Sequence, residues 1–459
     1  MALLALCISY FMVIIDVTII TVALPTIGRY FNCGVTDLQW IVDGYTLVLA
    51  SILLSTGVIA DRLGAKRTFE GGLIAFVVAS LGCALAQSLA WLVAMRLLQG
   101  GASAMLIPAS MSILKKGVTE STARSRALGI WAAVGGVAAA LGPVLGALLV
   151  SWLGWRAVFW VNLPMGLIAL ILSARFVTQV AADNGATRID VIGQLLAFIV
   201  LSGLAMALIE SGRIGWHADI VLFFICLCVV ASIFFVCWER TTAQPMLPLR
   251  LFRQADFSVA MLTGMGLNIG FYGQIFLLPF YFERVHSLRV FAIGCAILPQ
   301  PAMAALASFL SGKLIAKVGP RWPMCLGLWI GSIGFAVLGV AVYARAPYSS
   351  FVAPLLAIGF GTAFAMPAMT STVLEAVSSC QAGIASGCLN ASRQIGSLIG
   401  VAVAGTLIPL RGGITNALVI AATLGAAIFT ISAFASARYV KPHGDWSDSE
   451  QMSVLKRNH

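Results

Sequence analysis

Charged side chains are scarce in this sequence of 459 residues. Asp, Glu, Lys and Arg together make up 10% of the chain, whereas 60% of the residues are hydrophobic. The mean hydropathy is +0.99. So little charge cannot cover a surface in contact with water, which excludes an ordinary water-soluble domain. The solvent for most of the surface must be lipid, and we expect one integral membrane body.

Residue patterns for metal, nucleotide or covalent chemistry are also missing. The ten cysteines and four histidines show no metal-ligand spacing, and Gly359 and Gly361 lie inside an apolar run without a P-loop sequence. No Ser-His-Asp or Cys-His arrangement lies in any loop large enough to hold a catalytic site. We therefore expect no metal, no cofactor, no ATP hydrolysis and no enzyme activity.

Long apolar runs recur along nearly the whole chain. Runs of about 18 to 25 residues can each cross a hydrocarbon core of about 30 Å as a helix. Fourteen such spans are predicted, the first over 4–24, the second over 39–60 and the last over 415–436. The first span lacks a basic leader and a cleavage site, so we expect it to be retained.

Basic residues are distributed unevenly between the two sides that fourteen spans define. Of the twenty-eight Lys and Arg residues, nineteen fall on the side of the termini and seven on the other, while Arg96 and Arg393 lie inside spans. The positive-inside rule then places both termini in the cytoplasm. Topology and contact with anionic lipid explain the net charge of +11, so no nucleic-acid partner is expected.

Two sequence patterns recur at almost the same separation. The pair Gly57 and Gly64 is repeated 255 residues later, and the segment 100–108 is repeated 259 residues later as 359–367. Repeats at nearly one offset indicate a duplicated chain.

This repeat predicts a division of the chain into two six-helix halves. We expect a first half over 1–180, an inserted pair of helices over 181–254, a second half over 255–437 and a cytoplasmic tail over 438–459. Parallel six-helix halves are expected to move against each other in alternating access.

Several motifs occur in one known order along the chain. They are Asp16 to Pro25 in the first span, the loop 57–67, the segment 92–101 and a glycine pattern in the fifth span. Together they resemble the major facilitator superfamily, and within it the fourteen-helix drug:proton antiporters. Segments 40–45, 161–164 and 390–396 look most like exporters of the methylenomycin-resistance type. The resemblance covers the whole chain and implies a monomer that exports small organic molecules or antibiotics across a bacterial cytoplasmic membrane in exchange for protons.

Asp16 and Asp43 are carboxylates inside predicted spans. An ionised carboxylate costs several kcal/mol there unless it is paired or protonated, so both are candidates for proton coupling. Asp16 lies halfway through its span, where it could take up a proton from one side and release it to the other. The alternative is a structural hydrogen bond to a neighbouring helix. Asp43 lies nearer the outer end of its span, where water could keep it ionised without a special role.

Arg96 is permanently charged and lies inside the fourth span. It must find a carboxylate, carbonyl groups or water within the bundle. The position 259 residues later is Leu355, so this charge is confined to the first half. We predict that Arg96 takes part in proton coupling by acting on Asp16 or Asp43, and a structural ion pair is the alternative.

The loop after the second span combines charge with a turn. Its candidate residues are Gly57, Asp61, Arg62, Gly64, Lys66 and Arg67. Because Gly64 permits a tight turn, we predict a charged latch that opens and closes with the halves. The alternative is a basic loop that only sets topology.

The fifth span carries a ridge of small residues. The ridge comprises Gly135, Gly136, Gly142, Pro143 and Gly146. Small residues let helices approach closely, and Pro143 removes a backbone hydrogen bond. Close packing alone explains the pattern, and the resemblance adds a seal between the halves that is typical of antiporters.

Acidic residues are almost absent from the second half of the chain. Glu283 and Glu375 lie at the ends of spans. Candidates for a substrate cavity are Tyr45, Asn390, Arg393 and Gln394. Arg393 could bind a substrate carboxylate with two hydrogen bonds, or it could extend to the cytoplasmic interface. We predict a preference for small neutral or anionic substrates over multivalent cations.

Two other functions remain open at this stage. One is proton-coupled uptake by the same fold, and the other is a membrane scaffold or receptor that transports nothing. Asp16 and Arg96 argue against a scaffold, which has little use for charges inside spans. The choice of export over uptake rests on the resemblance of the fifth span.

Overall fold

Long helices make up most of the described chain, as expected where no water can satisfy the backbone. The structure, a computed structural model, describes residues 1–117, 120–179, 190–242, 245–377, 381–410 and 413–441, and these ranges contain no strand. A short 3₁₀ helix covers Leu249–Arg253. The α-helices are α1 Ala2–Phe31, α2 Val35–Leu63, α3 Ala65–Ala84, α4 Leu89–Gly117, α5 Ser121–Leu153, α6 Ala157–Trp160, α7 Asn162–Phe176, α8 Val191–Ile214, α9 Asp219–Thr241, α10 Ala255–Arg284, α11 Val290–Ile297, α12 Pro299–Ala302, α13 Ala304–Val318, α14 Arg321–Tyr343, α15 Ser349–Glu375, α16 Ala382–Leu410 and α17 Ile414–Tyr439.

Thirteen helical stretches within the described ranges are long and apolar enough to cross a membrane. Two of them are interrupted: α6 and α7 form one span over Ala157–Phe176, and α11 to α13 form another over Val290–Val318. Helix α2 is not among the thirteen, although it occupies the place of the predicted span 39–60. The predicted all-α membrane fold is confirmed, and the predicted count of fourteen spans is not.

The glycines of the repeated sequence pattern end helices at matching points. Gly64 between α2 and α3 has φ 92°, and Gly319 between α13 and α14 has φ 76°. A residue with a Cβ atom is strained at such a positive φ, so both turns favour glycine.

The second repeated pattern also recurs as local structure. Gly100 of α4 lies directly against the backbone carbonyl of Tyr45, and Gly359 of α15 lies against that of Gln300. A side chain at either glycine would collide with the neighbouring backbone. The same close approach of two helices is therefore present at both copies of the pattern.

The helices form two groups of neighbours. In the first group α1 packs against α5 and α7, α2 against α4, and α3 against α4 and α7. In the second group α10 packs against α16 and α17, while α14 packs against α15 and α17. Between the groups, α2 runs along α16 and α5 runs along α11. Helix α8 contacts α2 and α16, and α9 packs on α8.

Contacts between the two groups occur where α1 ends and α2 begins, here called the far end of the bundle. The side-chain amide of Gln39 donates to the carbonyl groups of Val401 and Ala402 at 3.0 and 2.8 Å. Arg29 pairs with Glu283 at 3.3 Å. The far end is therefore closed. The opposite end, where α1 begins, is called the near end.

Candidate functional site

Asp16 of α1 and Arg96 of α4 form an ion pair inside the first group of helices. Arg96 Nη1 lies 2.5 Å from Asp16 Oδ2, and each side chain is 1% exposed. The same guanidinium donates through Nε to the carbonyl of Ile41 in α2 at 2.9 Å. The structure thus brings together two of the residues predicted to couple protons, and it supplies Arg96 with both a carboxylate and a carbonyl group.

Uncharged side chains from three more positions surround this ion pair. Gln99 Nε2 and Asn162 Nδ2 donate to Asp16 Oδ1 at 3.1 and 2.9 Å. Gln99 also accepts from Arg96 Nη1 at 2.8 Å and donates to Ser80 Oγ at 2.7 Å. Asp16 therefore has a charged donor on one oxygen and two amide donors on the other, an arrangement that stabilises an ionised carboxylate. These five residues are called the Asp16 network below.

Tyr45 covers the network on the side of α2. The guanidinium of Arg96 lies 4.4 Å from the centre of the Tyr45 ring, a distance suited to a cation–π interaction. The Tyr45 hydroxyl is 2.7 Å from Ser103 Oγ, to which it donates a hydrogen bond. Tyr45 is predicted from the sequence as a cavity residue, whereas the structure buries it beside Arg96.

Asp43 is buried without any of these donors. Its side chain is 0% exposed, and neither carboxylate oxygen has a hydrogen-bond partner among the described residues. It lies one helical turn from Gln39, which bonds to the backbone of α16, and one turn from Leu47, which packs with Leu398 of α16. Asp43 therefore faces the contact between α2 and α16, called the α2–α16 seam below. The role of Asp43 in proton coupling stays a prediction.

Lys66 connects the loop between α2 and α3 to neighbouring groups. Its Nζ donates to the carbonyl of Ala174 in α7 at 3.2 Å and lies 3.8 Å from Glu70 Oε1. Arg62 and Arg67 are exposed. The side chain of Asp61 lies outside what the structure describes, so the charged latch stays a prediction.

The glycine ridge of α5 packs against α1 of its own group. A Cβ atom built at Gly142 would collide with the side chain of Thr18, and one at Gly146 would lie 2.8 Å from the carbonyl oxygen of Ile19. Between these two glycines, the backbone carbonyl of Pro143 lies against Gly294 of α11. The ridge therefore allows close packing within the first group, and the same stretch of α5 also meets the second group.

Neighbouring glycines of this ridge have different surroundings. A Cβ atom at Gly135 would collide with the ring of Tyr10, which stacks on Trp131 at 3.7 Å between ring centres. A Cβ atom at Gly136 would have no atom within 4 Å. Only the first of these two positions requires glycine for packing against α1.

Arg393 lies on α16 with an incomplete set of partners. Its Nη2 is 3.4 Å from Met366 Sδ, and its Nε is buried without a partner in the described ranges. The charge of Arg393 acts on Tyr10 of α1 and Tyr272 of α10, so aromatic rings from both groups lie near it. The other predicted cavity residues of α16 are partly buried: Asn390 and Gln394.

Sequence patterns alone do not single out every member of the Asp16 network. Gln99 has a usable signal, because it lies three residues after Arg96 and so shares its helix face. Asn162 belongs to the segment 161–164, whose likeness to known exporters gives it no specific role. Ser80 has no signal, since small polar residues are common in membrane helices.

A bundle of membrane-length helices that encloses a buried ion pair is the architecture of a membrane transporter. The chain belongs to the Major Facilitator Superfamily, whose family model matches residues 6–302 and 261–457. The predicted family is therefore confirmed. The protein is a multi-pass membrane transporter of small molecules rather than an enzyme.

Several relatives are resistance proteins. The methylenomycin A resistance protein of Bacillus subtilis is 31% identical over 98% of this chain and 96% of that protein. The methylenomycin A resistance protein of Streptomyces coelicolor is 35% identical over 88% of this chain and 84% of its own. The tetracenomycin C resistance and export protein of Streptomyces glaucescens is 31% identical over 90% of this chain and 76% of that protein.

A solved structure shows the same fold at low identity. The crystal structure of a POT family transporter in complex with 5-aminolevulinic acid aligns with a TM-score of 0.72 over 96% of both chains. Its sequence identity is 13%, so this likeness concerns the fold alone.

Proposed function

We propose that this protein exports small organic molecules from a bacterial cytoplasm in exchange for protons, by alternating access. The observation that carries the proposal is the Asp16–Arg96 ion pair, which is held inside membrane-length helices where charge is costly. A scaffold would have no use for such a pair. Export rather than uptake is supported by the relatives, one of which is named as an export protein.

The orientation follows from charge. The near end, which carries the basic loops and the termini, faces the cytoplasm. The far end, where Gln39 and the Arg29–Glu283 pair connect the two groups, then faces the outside. The segments 1–180 and 255–437 then rock against each other, with 181–254 inserted between them and 438–459 as a tail.

During the cycle Asp16 alternates between an ionised form, which pairs with Arg96, and a protonated form, which does not. In this state its carboxylate is stabilised by Arg96, Gln99 and Asn162. A proton on Asp16 removes the charge that holds Arg96, so α1 and α4 become free to shift relative to each other. Release of that proton restores the pair. The proton therefore acts on the contact between two helices of the first group.

Asp43 links closure of the far end to protonation. An ionised carboxylate that receives no hydrogen bond costs several kcal/mol inside the membrane, and Asp43 receives none from the described residues, which supports a proton on Asp43 in this state. Opening of the α2–α16 seam admits water and lets the proton leave. Closure of the far end therefore requires a proton on Asp43.

Arg393 supplies the preference for substrate charge. Its partly unsatisfied guanidinium lies near aromatic rings from both groups of helices, and it has no carboxylate partner in the described ranges. An anionic or neutral polar substrate can complete its hydrogen bonds, whereas a multivalent cation would be repelled.

Flux into proteoliposomes under an imposed pH gradient tests the proposal. We expect substrate and protons to move in opposite directions, and a panel of anionic, neutral and cationic compounds identifies the substrate class. Movement in the same direction would assign uptake by symport, and the absence of flux for every compound would favour a scaffold. The matched control is Asp16→Asn, in which the proton gradient should drive no flux.

A further inference from the structure

A second pair of acidic side chains lies on the hairpin of α8 and α9, outside the Asp16 network. Asp190 caps the start of α8: its Oδ1 accepts from the backbone N–H of Gly193 and from Trp238 Nε1, each at 2.8 Å. Glu239 lies near the end of α9, and its Oε2 accepts from the backbone N–H of Leu247 at 3.0 Å. One oxygen of each carboxylate is therefore satisfied.

The remaining oxygens of this pair point at a common space. Asp190 Oδ2 and Glu239 Oε1 are buried and have no hydrogen-bond partner in the part of the chain that is described. A Cβ atom built at Gly193 would lie 2.5 Å from the first and 2.8 Å from the second. Because Gly193 has no side chain, the space between the two oxygens stays open, and one small cation there can touch both.

The burial of Glu239 is unusual for its helix. Helix α9 faces lipid along most of its length, and its buried residues are Val221, Ala231 and Glu239. The Glu239 side chain is 4% exposed. Two ionised carboxylates this close, with little water to screen them, repel each other strongly. A cation between them removes the repulsion.

The number of ligands selects the cation. Calcium takes about six to eight oxygen ligands and magnesium about six, whereas two carboxylate oxygens face this space. The described residues contain no group of three or more His, Cys, Asp and Glu that could hold a metal ion. A proton needs two oxygens, because it binds one covalently and hydrogen-bonds to the other. We propose that Asp190 and Glu239 share one proton and form a proton-binding site in the α8–α9 hairpin.

The site lies where the hairpin meets both groups of helices. One turn along α8, Gln194 bonds to the backbone carbonyl of Ser51 and to the hydroxyl of Ser55 in α2. On the other side, Leu247 packs against the apolar cluster that contains Cys388 of α16. Among the described titratable groups, Asp190 and Cys388 are the ones that interact with Glu239. Loss of the shared proton leaves two adjacent negative charges and pushes the ends of α8 and α9 apart.

Infrared spectroscopy of the full chain in lipid nanodiscs detects the protonated carboxyl group directly. The measured quantity is the carbonyl absorption of protonated carboxylic acids at neutral pH. In Glu239→Gln and in Asp190→Asn an amide can donate the hydrogen bond that the shared proton made, so both variants are expected to fold. Each variant should lose the absorption of one carboxylic acid relative to the wild type.

A matched control uses an acid outside the pair. Glu375 is exposed and accepts from Ser371 Oγ at 2.5 Å, so Glu375→Gln should leave the absorption unchanged. The proton proposed on Asp43 gives a separate absorption that Asp43→Asn removes. The measurement needs no transport, so its failure and a failure of the proposed export are distinguishable.

Two results would overturn the shared proton. Unchanged absorption in both amide variants would mean that the pair is ionised at neutral pH, for example because Arg188, two residues earlier in the sequence, supplies the counter-charge. A thermal stability that rises with added sodium or calcium chloride in the wild type, and not in Glu239→Gln, would assign the space to a metal cation. If one variant fails to fold, the other and the double variant give the same readout.

Discussion

Asp16 and Asp43 are almost equally shielded from solvent, yet they differ completely in their hydrogen bonds. Asp16 receives donors from Arg96, Gln99 and Asn162, while Asp43 receives none from the described residues. Burial favours a neutral carboxyl group, and strong donors favour an ionised one. Within one state of the transporter, Asp16 is therefore suited to hold a charge and Asp43 to hold a proton.

Substitution of Asp16 should separate charge pairing from proton transfer. Asp16→Asn keeps the shape of the side chain but cannot titrate, and it leaves Arg96 without a counter-charge. Breaking a buried ion pair costs about 3–5 kcal/mol, so we expect a lower melting temperature and no proton-driven efflux. The double variant Asp16→Asn, Arg96→Gln should recover stability without recovering efflux. Efflux at the wild-type rate in Asp16→Asn would contradict the assignment.

Substitution of Asp43 should act on closure of the far end instead. Asp43→Asn places a neutral side chain of the same size in the α2–α16 seam, so folding should be unaffected. Because asparagine cannot titrate, the dependence of efflux on external pH should be lost. The control is Asp37→Asn at the start of α2, where the carboxylate accepts from the Gly34 backbone near the surface. An unaltered pH profile in Asp43→Asn would exclude a role for its proton.

The adjacent glycines of α5 give a test of helix packing. Gly135→Ala should collide with the Tyr10 ring, and overpacking of this kind costs about 1–3 kcal/mol. Gly136→Ala meets no atom within 4 Å, and alanine favours a helix over glycine by about 1 kcal/mol. Thermal unfolding in detergent should therefore show opposite shifts for the two variants. Equal shifts would refute the proposed packing of α5 on α1.

Reporter fusions test the orientation. A reporter placed after Leu247 should be active in the cytoplasm, because this loop lies on the side of the basic residues. A reporter placed between residues 212 and 217, where α8 ends and the turn to α9 begins, should be external. The reverse pattern would contradict both the orientation and the cytoplasmic assignment of the termini.

Arg393 should decide the preference for substrate charge. Arg393→Gln removes the positive charge, so efflux of anionic compounds should fall more than efflux of neutral ones. Arg393→Lys keeps the charge but loses the planar pair of donors, and it should restore part of the anion efflux. The measurement is efflux of matched acids and amides. Dicationic dyes exported as fast as the best acid, with no change in Arg393→Gln, would exclude this role.

Much of the fold is encoded in features that a linear sequence displays. Apolar length predicts the thirteen membrane-length stretches, and charges are so rare inside spans that Asp16 and Arg96 stand out. The same scarcity limits the expected carboxylate partners of Arg96 to Asp16 and Asp43, and the structure pairs it with Asp16.

The rest of the site depends on how helices rotate and meet. Gln99 and Ser80 are ordinary polar residues in sequence, and they join the Asp16 network because α3 and α4 turn those faces towards α1. The isolation of Asp43 cannot be predicted either, since it depends on no described side chain of a neighbouring helix reaching its carboxylate. Asp190 and Glu239 are 49 positions apart, and only the hairpin brings them together.

The contact of Gln39 with α16 has a consequence for how such exporters diversify. Gln39 donates to the carbonyl groups of Val401 and Ala402, which every amino acid possesses. The contact therefore tolerates almost any side chain at those two positions, as long as α16 stays helical and Gly405 leaves room for the Gln39 amide. The residues of α16 proposed to contact a substrate can then be exchanged during evolution, or in the laboratory, while the contact at the far end is preserved.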